Sequence, residues 1–133
     1  MYIPDTKTWI RFLNPDPNPV KQRLTSIDPV LLRFCSVVKA ELYFGAENST
    51  RKSENLATLK DLFAGIESLP FDDLAANQYG KIRAALKRAG TPIGPNDLMI
   101  ASIALAREAV LITHNMGEFS RVEGLQIEDW ESE

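Results

Sequence analysis

The sequence has little of what several common classes of site require. It contains one cysteine and one histidine. A single cysteine, Cys35, excludes an internal disulfide and a zinc site built from cysteines, and its apolar neighbours favour a buried thiol. With His114 as the only histidine, a Cys35–His114 nucleophile pair is the sole protease-like option. No charge-free apolar run approaches the roughly 20 residues of a membrane span, so we expect a soluble, cytoplasmic protein.

Common nucleotide-binding and hydrolase motifs are absent as well. The sequence has no Gly-x-x-x-x-Gly-Lys phosphate loop, no Gly-x-Gly-x-x-Gly fingerprint and no Gly-x-Ser-x-Gly elbow. The net charge of -3 does not indicate a broadly basic nucleic-acid binder. Any contact with RNA or DNA therefore depends on local patches. Basic residues crowd one segment, which holds Lys81, Arg83, Lys87 and Arg88, while residues 123–133 contain acidic residues and no lysine or arginine.

What is present indicates one α/β domain. A chain of 133 residues that is 44% hydrophobic has the size of a single domain with one core. Apolar runs predict strands at residues 1–5, 31–37, 109–113 and 125–130. Helical periodicity predicts helices at residues 6–13, 38–47, 53–66 and 98–106, and another that follows Asp72 or Asp73 and ends at Gly90. Strands that alternate with helices predict an α/β sandwich with a mostly parallel central sheet.

Acidic and amide side chains follow the predicted strands. Asp5 ends the first strand, Glu41 lies one helical turn past the second, and Asn115 follows the third. Asp97 stands at the start of a helix that is apolar almost all round. Because ligands of open α/β sheets bind beyond the carboxyl ends of the strands, these side chains can converge at one edge. Carboxylate oxygens without histidine or cysteine suit Mg²⁺ or Mn²⁺, and the hydrolysis of phosphodiesters is the natural chemistry.

Each of these side chains also has a structural alternative. In that alternative, Asp97 is simply a helix N-cap, Glu41 is a surface residue, and Asn115 shapes a turn. Asp5 is harder to explain in this way, because a carboxylate beside an apolar strand seldom serves packing. Three hydroxyl groups near the predicted strand ends are either ordinary side chains or hydrogen-bond donors to the carboxylates. They belong to Thr6, Ser36 and Thr113.

Four ordered segments carry a resemblance to a known family. They are residues 1–10 (MYIPDTKTWI), 37–45 (VVKAELYFG), 91–101 (TPIGPNDLMIA) and 111–119 (LITHNMGEF). In this order and spacing they resemble the PIN-domain toxins of the VapC family, and the likeness covers essentially the whole chain. The resemblance implies a single PIN domain over residues 1–133, with a three-layer α/β/α sandwich.

The resemblance also implies a function. It is that of a Mg²⁺- or Mn²⁺-dependent endoribonuclease, a cytoplasmic and dimeric toxin that acts on structured RNA such as tRNA and is inhibited by a VapB-type antitoxin. The acidic site of the family corresponds to Asp5, Glu41 and Asp97, which would hold the metal, and to Asn115, which would position water or a second ion. The candidates for contacts with RNA phosphates are Arg11, Lys39 and Arg83.

Two residues depart from the family pattern. Pro4 replaces a large apolar residue and deletes an N–H group from the first strand. Lys7 replaces an asparagine that is thought to orient the first carboxylate. Lys7 can form an ion pair with the acidic residues and compete with the metal, or it can contact an RNA phosphate. The first outcome predicts a catalytically impaired PIN fold that binds an antitoxin or RNA, and this is the alternative function. A small phosphohydrolase or receiver-like domain is a remote third.

Overall fold

Five short strands form the centre of the molecule, and all pairings among the described residues are parallel. The computed structural model describes residues 1–131. Strands β1 (Tyr2–Pro4), β4 (Val110–Ile112) and β5 (Ile127–Glu128) form one sheet in the order β1-β4-β5, and β2 (Phe34–Cys35) pairs with β3 (Ser68–Leu69). A parallel bridge between Tyr2 and Leu32 joins the two sheets. The predicted α/β fold with a mostly parallel sheet is confirmed.

Seven helices connect these strands within residues 1–131. They are α1 (Thr6–Leu13), α2 (Pro19–Ser26), α3 (Ser36–Glu47), α4 (Lys52–Ala64), α5 (Asp73–Ala89), α6 (Pro95–Ala106) and α7 (Met116–Phe119). The side chain of Asp72 caps α5, and Gly90 ends that helix in the left-handed conformation, as the sequence indicates. None of the described helices combines the length and the apolar character that a membrane crossing requires.

The apolar run at residues 31–37 does not form the single strand that its composition predicts. Pro29–Leu31 forms a 3₁₀ turn, only Phe34–Cys35 is paired as a strand, and α3 already begins at Ser36. Ser68–Leu69 forms a strand that the sequence did not indicate. A short apolar run has the same pattern in a buried strand and in the first turn of a buried helix. Periodicity alone therefore cannot show where the strand ends and the helix begins.

Pro4 fits in β1 because its backbone nitrogen, which cannot donate a hydrogen bond, points away from the neighbouring strand β4. The next backbone N–H, that of Asp5, donates to the carbonyl oxygen of Ile112 in β4 at 2.9 Å. Backbone groups alternate along a strand, so the nitrogen of Pro4 points away from β4, toward β2. On the side of β1 that faces β2, the bridge in the described residues joins Tyr2 to Leu32, and Tyr2 precedes Pro4 by two residues. The proline therefore removes no bond from the β1–β4 ladder.

Trp9 fixes α1 against the core. Its side chain is 1% exposed, and its ring stacks on Phe34 of β2 with the centroids 4.4 Å apart. Phe63 of α4 meets Phe34 edge-on at 4.7 Å. Aromatic pairs of this kind add stability beyond the area that they bury. Because Trp9 follows Asp5 by one helical turn, this packing also fixes the position of the first candidate ligand.

Two glycines of α5 provide a matched test of the helix. A methyl group at Gly80, in the exposed interior of α5, would meet no atom within 4 Å, so Gly80→Ala is expected to raise the free energy of unfolding by about 0.5–1 kcal/mol. Gly90→Ala is expected to lower it by a similar amount, because Gly90 has φ +71°. Urea denaturation measures both changes. Equal effects of the two substitutions would contradict this assignment of the helix end.

Candidate active site

A cavity of about 680 Å³ lies beside the carboxyl ends of β1 and β4, and four predicted site residues line it. They are Asp5, Glu41, Asp97 and Asn115. Each comes from a different segment: Asp5 joins β1 to α1, Glu41 lies in α3, Asp97 lies in the first turn of α6, and Asn115 precedes α7. The same cavity is lined by Thr6, Lys7, Ile10, Ala40, Phe44, Gly45 and Asn96. The fold therefore brings the predicted residues together.

Asp5 is held in place by Thr8. Asp5 is 6% exposed, and its Oδ1 accepts hydrogen bonds from the backbone N–H of Thr8 at 2.9 Å and from its hydroxyl at 2.7 Å. The Thr8 hydroxyl also lies 3.2 Å from the carbonyl oxygen of Ile112, at the end of β4. Both hydrogen bonds to Asp5 reach the same oxygen, so Oδ2 is the atom available to a ligand. Thr8 is not among the residues predicted from the sequence, although its spacing from Asp5 fits a helix cap.

Glu41 is held by one donor on each side. The hydroxyl of Thr6 donates to Oε1, and the amide of Asn96 donates to Oε2 at 3.3 Å. Thr6 begins α1 and Asn96 lies in the first turn of α6, so these bonds connect α3 to α1 and α6. Asn96 is a second residue of the site that was not predicted from the sequence. Its only signal in the sequence is its position next to Asp97.

Asp97 carries a strongly perturbed carboxyl group. Burial raises its pKa to about 6, and the negative charges of Glu118, Asp5 and Glu41 add to the shift. The carboxyl groups of Asp97 and Glu118 lie close enough to interact, and a protonated Asp97 can donate a hydrogen bond to Glu118 below the pKa of Asp97. A carboxylate in the first turn of a helix normally interacts favourably with the helix dipole. Here burial and repulsion outweigh that effect, which identifies a site of concentrated negative charge.

Glu118 joins this acidic cluster and orients Asn115. Its Oε1 accepts from the backbone N–H of Gly94 at 2.8 Å, and its Oε2 accepts from the side-chain amide of Asn115 at 2.9 Å. These two donors lower the pKa of Glu118, so Glu118 is the more acidic member of the pair with Asp97. Glu118 is not among the site residues predicted from the sequence. Its spacing of three residues from Asn115, at the start of a helix, was the available signal.

The other two predicted hydroxyl groups do not line the cavity. The hydroxyl of Ser36 lies 3.5 Å from the carbonyl oxygen of Leu69 in β3. That of Thr113 accepts from the backbone N–H of Asn115 at 3.0 Å and shapes the turn after β4. Thr113 can therefore act on the site only by fixing Asn115, and Ser36 contacts the neighbouring strand rather than the carboxylates.

The predicted RNA-contacting residues also lie away from the acidic cavity. Arg11 forms an ion pair with Glu131 at 2.8 Å, and the Lys39 ammonium lies 4.7 Å from the centroid of the Phe63 ring. Arg83 lies on α5, where its side chain contacts that of Tyr79. Their contacts with RNA stay a prediction. Among the lysines and arginines that the structure describes, Lys7 alone lines the cavity with the acidic residues, and it makes no ion pair with any described residue.

Cys35 and His114 do not provide a nucleophile pair. Cys35 is fully buried, and burial raises the pKa of its thiol to about 11, so the thiol stays protonated at neutral pH. The Nδ1 of His114 lies 3.0 Å from a carboxylate oxygen of Asp129. The expected buried thiol at Cys35 is confirmed.

The donor set at the cavity fits a hard divalent cation. Asp5, Glu41 and Asp97 offer only oxygen, and their mutual repulsion at Asp97 is relieved by a positive charge. Within residues 1–131, no group of three histidine, cysteine or carboxylate side chains already has the arrangement of a metal-ligand cluster. Hydrogen bonds engage one oxygen of Asp5 and both oxygens of Glu41. Glu41 would therefore bind an ion through water or by exchanging one of these bonds.

Sequence comparisons relate the chain to ribonucleases. The PIN domain profile matches residues 2–125. The tRNA(fMet)-specific endonuclease VapC of Salmonella typhimurium is 38% identical over 129 residues, which are 97% of each chain. Ribonuclease VapC2 of Rickettsia felis is 33% identical over 132 residues, which are 98% of each chain.

Solved structures give the same relationship. The DNA-bound VapBC structure from Salmonella typhimurium contains a chain that matches with a TM-score of 0.87 and 38% identity, over 97% of both chains. VapBC-1 from nontypeable Haemophilus influenzae matches with a TM-score of 0.86 and 35% identity, again over 97% of both chains. Similarity at this level extends over the helices and strands that surround the acidic cavity.

Proposed function

The chain belongs to the VapC family of PIN-domain proteins, and on that premise we propose that it is an endoribonuclease that hydrolyses phosphodiester bonds in RNA. The observation that carries the proposal is the cavity in which Asp5, Glu41 and Asp97 converge beside the ends of β1 and β4. One relative is named a tRNA(fMet)-specific endonuclease, and another is named a ribonuclease. The substrate class that we propose is therefore structured RNA such as tRNA.

The reaction that we propose depends on Mg²⁺ or Mn²⁺, held by Asp5, Glu41 and Asp97 directly or through water. When bound, such an ion lowers the pKa of a water molecule and offsets the negative charge of the phosphate. Thr8 keeps the Oδ1 of Asp5 fixed, and Thr6 and Asn96 fix Glu41. Asn115, whose amide is bonded to Glu118, would orient the attacking water or the phosphate at the edge of the cluster.

We further propose that the protein is the toxin of a type II toxin–antitoxin module, acting in the cytoplasm as a homodimer. Structural neighbours include two VapBC assemblies, and that of Salmonella typhimurium is bound to DNA. A VapB-type antitoxin is the partner that this likeness supports. A short reading frame for a DNA-binding protein next to the gene would agree with the pairing.

The second candidate function, an impaired PIN fold, rests on Lys7. Impairment requires Lys7 to neutralise the acidic residues, yet no ion pair between Lys7 and a carboxylate is found among residues 1–131. In addition, the hydroxyl of Thr8 holds Asp5 in this chain, so the carboxylate has an orienting donor although residue 7 is a lysine. Both observations support an active enzyme.

Cleavage of total tRNA by the purified protein, free of antitoxin, tests the proposal. We expect cleavage with Mn²⁺ or Mg²⁺, none in EDTA, and a rate at least about 100-fold lower for Asp5→Asn, because the loss of a ligand should exceed the 10- to 100-fold effect of losing its supporting bond. Lys7→Asn is the companion variant. Cleavage only after Lys7→Asn would establish the impaired fold, and an Asp5→Asn variant as fast as the parent would refute the site.

A further inference from the structure

Two exposed apolar side chains stand at the rim of the acidic cavity. Phe44 is 70% exposed and Ile10 is 54% exposed, and both line the cavity with Asp5, Glu41 and Asp97. Single exposed apolar residues are common on protein surfaces and need no explanation by themselves. An aromatic ring that is open to solvent and shares a cavity with a cluster of carboxylates is a different case, because it lies within reach of a ligand bound in that cavity.

The positions of these side chains follow from the two helices that carry the site. Phe44 lies three residues after Glu41 in α3, and Ile10 lies four residues after Thr6 in α1, so each pair shares one helix face. The hydrogen bond from Thr6 to Glu41 joins the two helices inside the cavity. Phe44 and Ile10 therefore lie one turn beyond this contact. Gly45 leaves the adjoining space open, since a methyl group there would meet no atom within 4 Å.

We propose that Phe44, supported by Ile10, is a stacking platform for an unpaired nucleobase next to the phosphate that is cleaved. This inference rests on the proposed ribonuclease function. A nucleobase is joined to its phosphate through one ribose, so a phosphodiester at the acidic cluster places a base near the cavity rim. A base within a duplex is already stacked on its neighbours, whereas an unpaired base can stack on an aromatic side chain. The platform therefore selects RNA segments whose bases are free.

Lys7 supplies the charge that such a ligand requires. It lines the same cavity, lies on the same helix as Ile10, and has no carboxylate partner among the described residues. An aromatic ring and a cation in the same cavity are the combination that binds single-stranded nucleic acid, with the base on the ring and a phosphate on the cation. A purely apolar protein segment would leave Lys7 without a partner for its charge.

Binding of a labelled RNA oligonucleotide, single-stranded or annealed to its complement, tests the platform. Fluorescence anisotropy is measured in Ca²⁺, which takes oxygen ligands as Mg²⁺ does. Phe44→Ala is expected to weaken binding of the single strand about tenfold, Phe44→Trp to retain it, and both to leave duplex binding unchanged. Val30→Ala is the matched control, because Val30 is 66% exposed and lies outside the cavity. Thermal denaturation should be the same for all four proteins.

The possible results separate this inference from the proposed function. If the parent cleaves tRNA and Phe44→Ala binds the single strand as tightly as the parent, the platform is refuted and the ribonuclease stands. Unchanged RNA binding together with weaker capture of a co-expressed antitoxin would also refute it and assign the rim to a protein partner. If the parent neither binds nor cleaves RNA, the proposed function fails, and the platform fails with it.

Discussion

Asp97→Asn is expected to stabilise the metal-free protein at pH 7 and to lower the rate of RNA cleavage at least about 100-fold. The pKa of Asp97 is raised to about 6 by burial and by the charges of Glu118, Asp5 and Glu41. At pH 7 the group is therefore ionised in surroundings that disfavour its charge. The full pKa shift corresponds to about 3 kcal/mol. Because solvent screens this half-buried group, we expect Asp97→Asn to raise the free energy of unfolding by about 1 kcal/mol.

The sign of the pH dependence follows from the same shift. Because the folded pKa of Asp97 lies above its ordinary value of 3.8, the folded state binds the proton more tightly than the unfolded state. In EDTA, the protonated Asp97 therefore adds its full contribution to the free energy of unfolding below pH 4. This contribution is lost as the pH rises through about 6. Asp97→Asn should not show this loss.

Urea denaturation in EDTA at pH 4.5 and pH 7.5 measures the effect, with Asp61→Asn as the control. Asp61 is an exposed carboxylate on α4. Addition of Mn²⁺ should reverse the order of stability, because the ion stabilises the parent more than the variant that has lost a ligand. An Asp97→Asn protein that is less stable than the parent in EDTA at pH 7.5 would show that the cluster is not repulsive.

Thr8→Val is expected to lower both RNA cleavage and Mn²⁺ affinity by about 10- to 100-fold, the usual cost of removing a group that orients a metal ligand. Valine has nearly the shape of threonine, and the backbone N–H that caps Asp5 is retained. The substitution thus removes only the hydroxyl, which donates to Asp5 at 2.7 Å inside the protein. The carbonyl oxygen of Ile112 loses its contact at 3.2 Å as well, so we expect a destabilisation of about 1–3 kcal/mol.

A purely structural role of Thr8 can be separated from a role in positioning Asp5. Thr8→Ser keeps the hydroxyl and loses only a methyl group, so it should restore Mn²⁺ affinity and cleavage. The readout is the Mn²⁺-dependent rise in melting temperature, compared with the melting temperature in EDTA. If Thr8→Val melts earlier in EDTA but gains as much from Mn²⁺ as the parent, Thr8 supports the fold and does not orient the ligand.

Much of the site could be predicted from the sequence because it lies where strands end. Asp5 follows an apolar strand, Asn115 follows another, and Asp97 begins a buried helix. In a parallel sheet these ends meet at one edge, so their convergence required no knowledge of the packing. The prediction of an α/β fold succeeded for the same reason. Long alternations of apolar and amphipathic segments leave few arrangements that bury every apolar face.

The sequence was a weaker guide where segments are short. The division of residues 31–37 into a 3₁₀ turn, the strand β2 and the start of α3 depends on neighbouring elements, since β2 is paired with the two-residue strand β3. Neither strand is stable alone or has a pattern long enough to recognise. Glu118 is not among the site residues predicted from the sequence; it lies in α7, which has only four residues and whose direction follows from tertiary contacts.

The sequence by itself determined the chemistry of this protein: oxygen donors at strand ends, an almost entirely apolar helix behind Asp97, and a family resemblance carried by four ordered segments. Only the tertiary structure decided how each donor is used. Thr6 meets Glu41 across 35 residues of chain, Glu118 joins Asp97 and Asn115, and Lys7 lines the cavity without a carboxylate partner among residues 1–131. Residue types fix which bonds are possible, but distances between remote segments depend on how the helices pack. Those distances settle which bonds form.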